Sequence, residues 1–358
     1  MNIKEKFLQL TSYTHPYGTE EHVFQYLPKN LETDEFGNRY IIIGDNPTTM
    51  FTSHLDTACS THEKVTHRIK ENIIRTDRST ILGADCKAGV AIMLYMIEQE
   101  VNGLYYFFLG EECGCMGSRW LSKEMANNNI FSDLELKRCI SFDRYGHNSF
   151  ITHQMGSQCC SDDFSEFMIN EFNNTEYDIK FKKDPHGIYT DSAQFTEIIP
   201  ECTNISVGYN GHHSHNEYQD IEFLERISKA CCEVDWDNSP VERDPKKRYS
   251  YYDNFIDSEN IKNKKADNEI GVIDIDFNDQ HMKVKLTKER LNKEIEWIIE
   301  LLFSWGIDVT DDEILWTGDE LLVDGFSEII SREELIRYDG RFLNLKIEEI
   351  DTIIEESN

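Results

Sequence analysis

Leu104-Tyr-Tyr-Phe-Phe-Leu109 sets six apolar residues in a row with none of the polar alternation of a half-exposed strand. A strand this uniformly apolar must be covered on both faces, as in the centre of a mostly parallel sheet with helices above and below. Three further β-rich stretches, 39–44, 48–53 and 138–142, and a fourth at 204–207 fit the same sheet. Between them, residues 88–97 spell a helix apolar nearly all round, which has to be buried against that sheet. Helix-like spacing also marks 3–11, 20–27 (with Thr19 as its start), 120–126, 162–173 and 221–234, and 65–69 with 72–75 reads as a hairpin. Strands alternating with helices predict an α/β doubly wound, mostly parallel sheet over residues 1–235, with its functional site at the carboxyl edge.

Beyond it the composition changes. Residues 236–268 are rich in Asp, Asn, Lys and Tyr and poor in aliphatics, and are predicted to be a linker or arm. Residues 269–358 predict a smaller acidic α+β module, with strands at 270–275 and 282–286 and an amphipathic helix from 287 to 305.

The formal net charge of −31 argues against a nucleic-acid-binding surface and against an anionic membrane surface, since both need clustered Lys and Arg. Met1-Asn-Ile-Lys-Glu-Lys-Phe7 has no apolar signal core, and no window approaches a membrane span, so the expected location is cytoplasmic. The ten cysteines lack the paired Cys-x-x-Cys spacing of a structural zinc site and are expected as buried thiols.

The chemistry gathers where predicted strands stop. His54-Leu-Asp56 ends one strand, Gly110-Glu-Glu112 another and Asp143 a third; Asp85 lies in a Gly-flanked turn before the buried helix, and His212-His-Ser-His215 follows the last strand. Histidines with carboxylates and no paired cysteines suit catalytic zinc or a similar divalent ion. In the first pair His54 is the expected metal ligand, with Asp56 accepting the other imidazole N–H and so fixing the tautomer. Asp85 can offer one oxygen to each of two ions. Adjacent residues at a strand end point opposite ways, so one of Glu111 and Glu112 can bind metal while the other serves as general base.

Ser53-His-Leu-Asp-Thr57, Ile81-Leu-Gly-Ala-Asp-Cys-Lys-Ala-Gly89, Gly110-Glu-Glu-Cys-Gly-Cys-Met-Gly-Ser118, Phe142-Asp143 and His213-Ser-His-Asn-Glu217 together resemble, in order, the motif set of the co-catalytic di-zinc exopeptidases, a superfamily that includes peptidase T, glutamate carboxypeptidases, aminoacylases and several aminopeptidases. The resemblance covers roughly residues 1–235. It implies two divalent ions, zinc with cobalt or manganese as alternatives, bridged by Asp85; His54 and Asp143 would complete one site, Glu112 and His213 the other, and Glu111 would be the general base. His215 competes with His213 for the last position, and Glu217, four residues after His213, favours His213. The implied activity is hydrolysis of a peptide or small amide by an aminopeptidase or dipeptidase. A deacylase of N-acyl or amino-acid conjugates, or a binding protein on the same fold, are the alternatives. Arg144, Tyr189, Asp191 and His215 are candidate substrate contacts. Two departures stand out. Cys86 follows the bridging Asp where the family has Asp or Asn, and only about 70 residues separate Asp143 from His213, too few for the inserted lid domain of peptidase T. The C-terminal module has no counterpart in the resemblance; a cover, a partner surface, or an acidic solubilising or oligomerisation appendage, with a homo-oligomer as the partner it would imply, are the roles open to it.

Overall fold

A computed structural model describes residues 2–154 and 157–247, and the strand segments 269–277, 280–287, 314–316, 320–323 and 330–331. The chain divides into two compact units, Met1–Tyr249 and Ser250–Asn358.

In the first unit the strands are β1 Glu32–Thr33, β2 Arg39–Ile43, β3 Thr49–His54, β4 His67–Lys70, β5 Ile73–Thr76, β6 Gly103–Phe108, β7 Arg138–Arg144, β8 Ser149–Ile151, β9 His153–Gln154, β10 Ser157–Gln158, β11 Lys182–Asp184, β12 Glu201–Ser206, β13 Tyr209–Asn210 and β14 Tyr218–Asp220. Its helices are α1 Ile3–Leu10, α2 Ala84–Glu98, α3 Met116–Asn128, α4 Asp162–Asn174 and α5 Ile221–Glu233. Eight strands form one mixed sheet in the order β1-β2-β6-β3-β7-β12-β8-β11. Its centre, β6-β3-β7-β12, is parallel; β1 and β2 run antiparallel at one side, and β8 antiparallel to β12 at the other.

The apolar run at 104–109 behaves as its composition requires. Tyr105 and Phe107 enter one core with Phe51, Ile140, Phe142 and the helices α1, α2 and α5, while Leu104, Tyr106 and Phe108 enter a second core with Met50, Cys139, Leu121 and Phe195. Every residue of β6 is buried, and each large side chain so covered is worth about 1.5–3 kcal/mol. Helix α2, apolar all round, lies in the first core, buried along nearly its whole length.

Gly89 shows how closely α2 approaches the sheet. A Cβ there would stand 2.0 Å from the Phe142 carbonyl oxygen and 2.6 Å from Ser53 Oγ, and both belong to the core. Gly89→Ala is therefore expected to lower stability by about 1–3 kcal/mol or more, because neither backbone can yield without moving the other. Chemical denaturation would check it; an unchanged midpoint would mean that α2 is free to slide.

Two expectations are corrected. Residues 20–27 form two single 3₁₀ turns, Glu20–His22 and Phe24–Tyr26, rather than one α-helix. Thr19 Oγ1 donates to the Pro16 carbonyl (2.8 Å) instead of capping a helix, and Leu27, which precedes Pro28, is extended at φ −85° and ψ 161°. Residues 236–247 are not a free arm. Trp236 and Arg243 are buried, Arg138 donates to Ser239 and to the Asp237 carbonyl, the Glu201 carboxylate accepts the Glu242 and Arg243 amides, and Arg243 donates to the carbonyls of Thr196, Ile199 and Pro200.

In the second unit Glu269–Phe277 pairs antiparallel with Gln280–Thr287, where two strands are predicted, and Ile314–Trp316, Glu320–Val323 and Ile330–Ser331 form a three-stranded antiparallel sheet. The helix predicted beyond 287 lies outside the described residues. No helix among the described residues is long and apolar enough to cross a membrane.

Candidate metal centre

The parallel strands deliver their polar residues to one edge of the sheet. His54 is the last residue of β3, Glu111 and Glu112 follow β6, Asp143 lies near the end of β7, and Asp85 is in the first turn of α2, where it and Cys86 depart from helical φ/ψ. Gly83, just before that turn, has φ +72°, a conformation open to glycine at little cost, and a Cβ there would also press on Thr57 Oγ1 at 3.1 Å.

Asp85 stands between two groups. Its Oδ1 is 3.1 Å from His54 Nε2, which is also 3.3 Å from Asp143 Oδ1; its Oδ2 is 3.3 Å from His213 Nε2, which is also 3.0 Å from Glu112 Oε2. Glu111 stands beside them, its Oε2 3.9 Å from His54 Nε2. A single Nε2–H could at best be shared between two carboxylates, and each imidazole nitrogen with its two carboxylates has the layout of ligand atoms around a shared cation. Glu112 Oε1 is buried without a hydrogen-bond partner and Asp143 Oδ1 has only the 3.3 Å contact with His54 Nε2, which fits a donor set built for metal. Among the described residues, three groups could hold an ion by proximity: His54, Asp85, Cys86 and Asp143; His54, Glu111 and Glu112; and Asp85, Glu112 and His213.

The electrostatics agree with crowded acids. Burial pushes the Glu111 carboxyl well above the usual range; the nearby His54 works against this, and Asp143 and Glu112 add to it. Burial raises Glu112 as well, with Asp85 adding to the shift. Burial would lower His54, but its contacts with Asp143, Asp56 and Asp85 outweigh that and hold it well above its ordinary value. Cys86 is a buried thiol that donates to the Phe142 carbonyl and is kept protonated, chiefly by burial.

Several side chains hold this arrangement. Asp56 Oδ1 accepts from His54 Nδ1 (3.2 Å) and from the Glu111 amide (3.1 Å), and its Oδ2 accepts from the Glu112 amide (3.0 Å). Lys87 is wholly buried and donates to the Asp56 carbonyl (2.6 Å) and Thr57 Oγ1 (2.9 Å). Around Asp143, Thr190 Oγ1 donates to Oδ2, the main-chain amide reaches Asn204 Oδ1, and the Tyr209 hydroxyl donates to the carbonyl. Glu217 accepts the Gly83 amide at Oε2 (2.7 Å) and the Asp85 amide at Oε1 (2.9 Å), and burial pushes its carboxyl up to about 8.

Lys87, Asn204 and Tyr209 are not identified as functional side chains from sequence, and Glu217 only as a marker for His213, although a lysine in a helix apolar all round already demands buried partners. Removing Glu217 leaves two buried amides unpaired, at about 1–3 kcal/mol each, and frees the turn that carries Asp85. Glu217→Ala is expected to melt several degrees lower and to bind metal about 10–100-fold more weakly; equal melting and equal affinity would show that the turn holds itself.

The structure brings together His54, Asp56, Asp85, Glu111, Glu112, Asp143 and His213. His215 is turned away, its Nδ1 on the Arg78 carbonyl at 3.0 Å, and is exposed. Arg144 pairs with Asp184 at 3.2 Å and lies 4.2 Å over the Tyr145 ring; Tyr145 stacks on His212, whose ring packs edge-on against His213. Tyr189 bonds Arg119, and Asp191 is buried, its carboxyl pushed up to about 7 by that burial.

No protein-family model matches the chain. An uncharacterized protein of Bacillus subtilis (strain 168), YqjE, is 38% identical over 85 residues, 22% of this chain and 23% of that protein, so the match spans under a quarter of the relative. Among solved structures, the aminopeptidase PepT from Bacillus cereus ATCC 10987 is similar with a TM-score of 0.54 at 15% identity, over 65% of this chain and 96% of that one. PhTET1-12s, a dodecamer in its crystal, follows with TM-score 0.51 at 14% identity over 65% and 98%. A tripeptidase from Staphylococcus aureus gives 0.50 at 15% identity over 65% and 96%. Over about two thirds of its length the chain therefore has the α/β fold of these structures.

Proposed function

We propose that the chain is a metal-dependent hydrolase of peptide or amide bonds, an aminopeptidase or dipeptidase that works with two divalent ions, zinc or in its place cobalt or manganese. The observation that carries this reading is the position of Asp85, one oxygen toward His54 and Asp143 and the other toward Glu112 and His213. Those five residues would hold the ions. When bound, such a pair lowers the pKa of a water molecule and polarises a carbonyl.

The remaining work falls to the protein. Glu111 lies beside the cluster, farther from His54 Nε2 than Asp85 or Asp143, and a carboxyl raised by burial is suited to take a proton from the attacking water and return it to the leaving amine. Asp56 keeps the His54 Nδ1–H engaged, so that Nε2 presents its lone pair to the cluster, and it fixes the main chain of Glu111 and Glu112. The likeness in fold to an aminopeptidase and a tripeptidase supports the peptide reading over a deacylase, and the dodecameric PhTET1-12s makes a homo-oligomer part of the proposal.

The test is a mass-spectrometric screen of peptides and N-acyl amino acids with zinc-loaded protein, alongside metal analysis. Stepwise loss of N-terminal residues is the expected result. Release of acyl groups alone would make the protein a deacylase, and a protein that binds no divalent ion would overturn the proposal.

A further inference from the structure

The two histidines of the cluster are not held alike. His54 is 1% exposed and its Nδ1 is tied to the Asp56 carboxylate, whereas His213 is 45% exposed and meets Asp85 and Glu112 through Nε2. A histidine that binds metal almost always has its second ring nitrogen engaged by a carboxylate, a carbonyl or water, which fixes the plane of the ring. Among the described residues His213 Nδ1 has no such tie. His213 also sits at φ +55°, a conformation that a residue other than glycine keeps only where its surroundings hold it.

What holds the ring is a row of packed side chains. His212 stands edge-on to His213, ring centroids 4.9 Å apart at 83°, and Tyr145 stacks on His212 at 5.2 Å and 22°. The Arg144 guanidinium lies 4.2 Å over the Tyr145 ring and pairs with Asp184, the last residue of β11, at 3.2 Å. Tyr209 fastens the row to the strand that carries Asp143: its ring meets His212 edge-on at 5.8 Å, its hydroxyl donates to the Asp143 carbonyl (2.7 Å), and its own carbonyl accepts the Gly146 amide (2.8 Å). Tyr145 is 41% exposed and so adds little to the core; what it does offer is the surface on which His212 rests.

We infer that Tyr145, acting through His212, is a positioning residue that sets the ring plane of His213 and with it the affinity of the Glu112–His213 side for its ion, the part that the hydrogen bond to Asp56 plays for His54. Arg144, held by Asp184, keeps Tyr145 in the row and serves the same brace. The inference rests on the two-ion reading, and it assigns the two sides different supports: a buried carboxylate for one, stacked rings on an exposed loop for the other.

The experiment is a calorimetric titration of zinc into the full-length, metal-stripped protein, with His213→Ala showing which of the two binding steps belongs to the His213 side. Tyr145→Ala is expected to weaken that step about tenfold and to leave the other step, and the melting temperature of the metal-free protein, as in the parent. Tyr145→Phe, which keeps the ring and loses only the hydroxyl, should bind zinc as the parent does. Unchanged affinity in Tyr145→Ala, equal weakening of both steps, or a Tyr145→Phe variant as weak as Tyr145→Ala would each overturn the inference while leaving the two-ion reading in place. A parent that binds fewer than two zinc ions would overturn both. Should Tyr145→Ala fail to fold, His212→Ala decides on the same readings.

Discussion

Glu111→Gln is expected to bind metal as the parent does and to turn over substrate about two to four orders of magnitude more slowly, the usual contribution of a positioned general base. The substitution keeps the volume of the side chain and removes its capacity to accept a proton. The nearest partners around His54 Nε2 are Asp85 at 3.1 Å and Asp143 at 3.3 Å, with Glu111 farther at 3.9 Å, so the ligand set survives the change. Metal content by plasma mass spectrometry and single-turnover kinetics on one cleaved peptide would read the two effects separately. Near-normal turnover would remove Glu111 from the role of base. Loss of metal together with turnover would instead make it a ligand.

Asp85→Ala should have a larger effect on metal content than any other single change, because its carboxylate is common to both groups of ligand atoms. Both ions are expected to be lost and turnover to fall to background. His213→Ala, which touches only the Glu112 side, should leave one ion in place. The melting temperature offers a check independent of substrate. A ion that binds only the folded chain raises it, so added zinc should stabilise the parent strongly, His213→Ala less, and Asp85→Ala hardly at all. Equal stabilisation of the parent and Asp85→Ala by zinc would mean that the ions sit elsewhere.

Much of this was readable from sequence because the chemistry lies where hydrophobic runs end. His54, Glu111, Glu112 and Asp143 each close a stretch whose period or apolar density marks a strand, and Asp85 precedes a helix too apolar to be anything but buried. The histidines at 212–215 were harder. They occupy the loop between β13 and β14, in which no periodicity distinguishes them, and the choice depends on the backbone: Gly211 at φ +68° and His213 at φ +55° turn the His213 ring to the cluster and leave His215 outside. The docking of residues 236–247 was hidden because polar residues make it. Glu201 and Arg243 are far apart in sequence, and nothing local shows that the charge of one serves the other's segment. The 3₁₀ turns at 20–26 escaped for a similar reason, since a hydroxyl free to cap a helix in principle is spent on Pro16.

The Asp56 carboxylate makes three hydrogen bonds, to the imidazole of His54 and to the main chain at Glu111 and Glu112. In the proposed mechanism those three partners have different jobs: one side of the metal cluster, the base, and the other side of the cluster. Their relative positions are therefore set against a single reference point, and a displacement of that carboxylate is inherited by all three together. The defects of Asp56→Ala and Glu111→Gln should then combine to less than their sum, since the first already misplaces the group that the second disables.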